Sequence, residues 1–262
     1  MRSNPPKRDA TLDTLRGIAI LTMLAANLAA SALREPHPFW FRFFGTWAAP
    51  LFIFLCGYLV MFTAERKHYG FSHYLQRGLL VLAIAALVDI GLWGLYPFVS
   101  VDVLYLIGLS LPAAYFFRCL PGFWQGLVIA GMFMVTPLLQ SVLGYSSPPT
   151  EISLLPDGEV VGVSFGAILK HWLIDGWFPV FPWLGFSFLG AYFTKIRPFH
   201  TSFASRAHWL LSGGLFLAGT IVWASRPGPL LTRNGYSELF YPPTLGYCLV
   251  AIRLKFCCCF VS

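Results

Sequence analysis

The sequence predicts an all-α fold, a polytopic bundle of seven to eight transmembrane helices. Three observations carry that expectation: 57% of residues are apolar and only 11% charged, the mean hydropathy is +0.67, and long apolar stretches recur through the 262 residues. Soluble domains carry roughly a quarter charged residues, so this chain has too little polar surface to face water. Aromatic residues reach 17%, with 25 Phe and 9 Trp, as expected where rings face lipid and line the headgroup level.

A bilayer core takes about 20 apolar residues per helix, and the first such stretch lies near 12–33. Basic residues precede it, as in a signal peptide, but Asp13 and Arg16 stand near its start and no cleavage site follows. It reads as a retained helix. Further stretches lie near 44–63, 75–95, 100–117, 123–143, 177–194 and 207–225, with an incomplete eighth near 243–261. They are too long and too evenly apolar for barrel strands, and helices satisfy their own backbone within hydrocarbon.

With the N-terminus inside, the cytoplasmic segments collect eleven cations: Arg2, Lys7, Arg8, Arg16, Arg66, Lys67, Arg77, Arg118, Lys195, Arg197 and Arg206. The other face has five: Arg34, Arg42, Lys170, Arg226 and Arg233. The positive-inside rule therefore sets the N-terminus in the cytoplasm. The net charge of +7 is explained by this orientation, because the cations form short runs and no continuous stripe for nucleic acid. The longest connection, 144–176, faces outward and carries Glu151, Asp157, Glu159 and Asp175; connections of that length are usually functional. The six Cys have no metal-ligand or disulfide spacing, so no metal site is indicated. No internal repeat or second domain is visible, and the sequence assigns no oligomeric state.

Candidate chemistry is sparse. Asp13 and Arg16, three apart, share a helical face: they form a structural ion pair, or Arg16 faces the cytoplasmic mouth and meets a phosphate. Of the six His, His68, His73, His200 and His208 fall inside, leaving His37 and His171 outside. A neutral imidazole suits proton abstraction near pH 7, although a loop His between prolines is more often structural. His171 and Asp175, four apart, are a reserve acid–base pair, equally explained by an interfacial Trp-rich segment. Trp40, Trp47, Trp93, Trp172 and Trp177 gather toward the outer side, as an aromatic belt or a sugar-stacking surface. Asp89 and Asp102 lie in or beside apolar stretches; an acid at that depth is a functional candidate, and Asp102 could equally cap its helix.

The opening Leu12-Asp13-Thr14-Leu15-Arg16-Gly17-Ile18-Ala19-Ile20-Leu21 is followed by Pro50-Leu51-Phe52-Ile53-Phe54-Leu55-Cys56-Gly57-Tyr58 and by Arg77-Gly78-Leu79. Then come Val103-Leu104-Tyr105-Leu106-Ile107-Gly108-Leu109-Ser110, Phe181-Pro182-Trp183-Leu184-Gly185-Phe186 with Leu189-Gly190, and Tyr241-Pro242-Pro243-Thr244. Together, from about residue 8 to 252, these resemble the heparan-alpha-glucosaminide N-acetyltransferase catalytic-domain family, in its bacterial form, within the wider membrane acyltransferase group. The resemblance implies transfer of an acetyl group from cytoplasmic acetyl-CoA to an amino-sugar or glycan across the membrane, most naturally a bacterial inner (plasma) membrane. It also implies catalytic roles for Asn27, near the outer end of the first span, and His37, in the loop that follows. An Asn amide can steady a tetrahedral oxyanion while an imidazole takes the acceptor's proton.

Residues 1–252 therefore read as one membrane acetyltransferase-like domain and 253–262 as an atypical tail. Family members continue for several more helices, so the chain reads as C-terminally truncated or frame-shifted. A rival reading takes Cys259-Phe260-Val261-Ser262 as a prenylation signal, although a protein with seven spans gains little from a lipid anchor. The competing functions are a transporter or permease, disfavoured by the lack of repeated halves, and a non-catalytic remnant.

Overall fold

The structure, a computed structural model, describes residues 10–34, 38, 41, 45–145, 151–154, 164–196, 202–225 and 243–260. His37 lies outside the described residues, and so do 146–150 and 155–163 of the 144–176 connection. The described chain is helical. In order, α1 is Ala10–Ala32, α2 Ala48–Lys67, α3 Phe71–Val88, α4 Val103–Phe117, α5 Gly122–Leu143, α6 Phe165–Lys170, α7 Val180–Ile196, α8 Ser202–Ser225 and α9 Leu245–Phe260. Two of them end in a wider π turn: α3 runs on through Asp89–Trp93 and α6 through His171–Asp175. One isolated bridge, Leu95 to Ser153, is the β pairing among these residues.

Near-uniform hydropathy conceals two environments. α2 is the centre of the bundle, packed on α7, α4 and α1, with Ile53, Phe54, Leu55, Val60 and Met61 buried. α3 and α5 are as apolar but peripheral. Leu79, Leu80, Leu87 and Leu92 on α3 and its π turn, with Met134, Leu138 and Val142 on α5, stay exposed. Such rows have no place in water and belong against lipid tails. Among the described residues three helices are long and apolar enough to cross a bilayer: Ala48–Lys67, Phe71–Trp93 with its π turn, and Gly122–Leu143. α4 and α7, at 15 and 17 residues, are shorter than the expected spans, so the structure gives a helical membrane protein without establishing seven to eight crossings.

Small residues set the closest packing. A Cβ at Gly57 would run into the backbone carbonyl of Ser187, and one at Gly190 into that of Phe54. α2 and α7 therefore meet backbone to backbone, the small-residue contact that membrane helices favour where lipid competes equally well for apolar side chains. Farther along, Phe117 and Phe188 stack at 4.4 Å and Phe54 meets Phe193 edge-on at 5.5 Å. Gly190→Ala should lower stability by about 1–3 kcal/mol or more through overpacking, read as an earlier thermal unfolding in detergent. Gly126→Ala on α5, with nothing within 4 Å of the added carbon, should be neutral or stabilising.

Candidate functional site

One end of the bundle is closed by connections stitched to one another. Tyr96 N donates to Ile152 O at 2.8 Å and Leu154 N to Gly94 O at 2.7 Å. Trp177 N reaches Ser100 O at 3.0 Å, Phe178 N reaches Val101 O at 2.8 Å, and Trp172 Nε1 donates to Phe98 O at 2.9 Å. The 94–102 segment is thereby clamped between the 151–154 segment and the chain entering α7. It needs the clamp, since Phe98 and Val101 have φ of 66° and 55°, a left-handed conformation that costs a β-branched residue most.

Two buried acids sit at this end, each carried by a π turn. Asp89 accepts a 2.6 Å hydrogen bond from the Tyr105 hydroxyl, which itself accepts from Phe98 N at 3.0 Å. The edge of Trp172 covers the Tyr105 ring at 5.8 Å between centroids. Asp175 is 1% exposed and takes a 3.1 Å ion pair from Lys170, while His171 Nδ1 stands 3.9 Å from its other oxygen. Spacing four apart suggested a helix-face pairing of His171 with Asp175. The wider turn instead brings Lys170, five residues back, over the carboxylate and leaves His171 just beyond hydrogen-bond reach. His171 is itself buried, at 4% exposure, so the reserve pair is no exposed loop pair but a Lys170–Asp175–His171 cluster set into the bundle end. Turns of this kind recur at functional sites.

The remaining expectations fall out individually. Asp102 is a cap: its carboxylate accepts from Val103 N at 2.6 Å at the start of α4. The tryptophans divide, with Trp93 exposed, Trp177 buried and donating to Glu151 at 2.8 Å, and Trp47 stacked on Tyr247 at 5.5 Å. Asp13 and Arg16 lie exposed on α1 at 3.4 Å, a loose solvent-facing pair that contributes little stability. Asn27 belongs to the last third of α1.

At the opposite end α4 stops and α7 finishes. The Gln125 side chain, fully buried, donates through Nε2 to Phe117 O at 2.9 Å and accepts from Lys195 Nζ at 3.1 Å. Arg118 lies over the Tyr115 ring at 4.2 Å and donates to its hydroxyl at 3.1 Å. Sequence reasoning counted these cations toward orientation and passed over Gln125, which no spacing connects to Lys195.

The catalytic family of heparan-alpha-glucosaminide N-acetyltransferase matches residues 8–221, which is most of the chain. The chain belongs to this family. No curated protein and no solved structure matches it. The match ends before the Tyr241-Pro242-Pro243-Thr244 segment, of which Thr244 is seen capping α9 through Tyr247 N at 3.3 Å. The co-substrate of this family is acetyl-CoA. The residues present suit its charge: Arg118 and Lys195 each keep N–H donors beyond those spent on Tyr115 and Gln125.

Proposed function

We propose that the protein is a membrane-bound acetyltransferase that moves acetyl from cytoplasmic acetyl-CoA to an amino-sugar or glycan on the far side, the family match over residues 8–221 being the observation that carries the reading. In this reading seven to eight helices cross a bacterial inner membrane with the N-terminus in the cytoplasm. The clamped, Trp-bearing end faces outward and the end holding Arg118 and Lys195 faces in. His37 is the base that deprotonates the acceptor, Asn27 the donor to the tetrahedral oxyanion, and Arg16 a contact for the donor's phosphates. Amine nitrogen attacks the thioester carbonyl and gives its proton to the imidazole, the C–S bond breaks, and the imidazolium returns that proton to the departing sulfur, so that CoA leaves as the thiol. His171 with Asp175 is the reserve base, held in the outward cluster with Lys170.

Proteoliposomes loaded with glucosamine and given radiolabelled acetyl-CoA outside test the activity. Inside-out insertion should put label on the trapped amine, whereas a permease would release the trapped glucosamine unmodified and a remnant would do neither. Sidedness is read in the same vesicles. Cys119, exposed beside Arg118, should react with an impermeant maleimide from the face opposite to a Ser153→Cys reporter. Reaction of both from one face would overturn the topology.

A further inference from the structure

We propose that Arg118 and Lys195 form a binding site for the phosphate groups of the nucleotide-bearing acetyl donor, at the bundle end where α4 stops and α7 finishes. The inference rests on the acetyl-CoA reading above and names residues that reading does not use. Two cations stand at the C-terminal ends of helices, where free carbonyls would ordinarily attract them. Gln125 alters that. Its buried amide takes the Phe117 carbonyl for itself and turns its own oxygen to Lys195 at 3.1 Å. Lys195 is thus fixed by a neutral partner that removes none of its charge. Arg118, the residue after Phe117, rests on the Tyr115 ring and spends one donor on its hydroxyl.

Among the described residues neither cation meets a carboxylate, the acid-bearing pairs being Arg16–Asp13, Lys170–Asp175 and His171–Asp175. The arrangement holds a point charge and a planar fork in place with donors to spare, which is the chemistry that recognises phosphate. Arg16 is placed less well for that work, since it lies on an exposed face of α1 with Asp13 beside it at 3.4 Å. A membrane supplies phosphate too, in anionic headgroups, so the source must be separated by experiment.

The full chain in phosphatidylcholine nanodiscs is titrated with tritiated CoA, and adenosine 3′,5′-bisphosphate or pantetheine is added as competitor. The bisphosphate should displace CoA from the unaltered protein and pantetheine should not. Arg118→Gln and Lys195→Gln should each weaken CoA by about tenfold, the loss of one charge-assisted contact, and Lys195→Arg should bind as the unaltered chain does. The same titrations in phosphatidylglycerol nanodiscs separate the sources. If the variants bind CoA normally in phosphatidylcholine and differ only in the anionic lipid, the cations serve headgroups and the proposal fails. Failure of the bisphosphate to compete overturns it without recourse to any variant. Normal variant binding alongside measurable acetyl transfer would remove this site and leave the acetyltransferase reading standing.

Discussion

His37→Ala should abolish acetyl transfer while leaving membrane insertion and CoA retention intact, if His37 is the base proposed above. Removing a general base typically costs about 10²–10⁴-fold in rate, and a loop imidazole contributes little to packing. Asn27→Ala slows turnover by about 10²–10³-fold if its amide meets the developing oxyanion. The deciding comparison sets His37→Ala against His171→Ala in one preparation. The second histidine is buried beside an ion-paired carboxylate, so its loss should perturb folding before chemistry, and expression must be normalised first. Should His37→Ala keep full turnover while His171→Ala loses it at equal folded amounts, the base belongs to the Lys170 cluster.

Much of the architecture was legible because hydrocarbon imposes a length and a composition on every crossing segment. The stretch expected near 123–143 is α5, Gly122–Leu143, and that near 207–225 lies within α8, Ser202–Ser225. Burial was not legible, because α2 and α3 have nearly the same hydropathy while one is the core and the other stays largely exposed. Apolarity cannot rank two helices when the solvent is apolar as well. The site was read least well wherever it depends on non-local or non-α geometry. Asp89 stood out as an acid in an apolar run, but its partner Tyr105 comes from another helix, 16 residues on. Asp175 was paired with His171 on α-helical spacing, and the π turn gave its nearer contact to Lys170. The partnership of Gln125 with Lys195 spans 70 residues and leaves no periodic trace.

Lys170→Met should destabilise the protein more than Asp175→Asn, although both break the same 3.1 Å contact. Asp175 is 1% exposed and Lys170 30%, so the two ends of the pair lose different things. Without Lys170 the buried carboxylate loses its 3.1 Å ion pair, while His171 Nδ1 stays 3.9 Å from its other oxygen. Stranding one partner of a fully buried pair costs about 3–5 kcal/mol, and the partly exposed ammonium reduces that to about 2–3 kcal/mol, since water already screens the pair. Without the Asp175 charge, Lys170 turns outward to solvent and the neutral amide keeps much of the original shape, so the loss should stay near 1 kcal/mol. Lys170→Met with Asp175→Asn should recover most of the single Lys170 penalty, because the two changes are coupled through one contact. Thermal unfolding of the four proteins in one detergent measures the cycle. Equal losses in the two single variants, adding in the double, would show that Asp175 meets water in solution and that the cluster is no buried site.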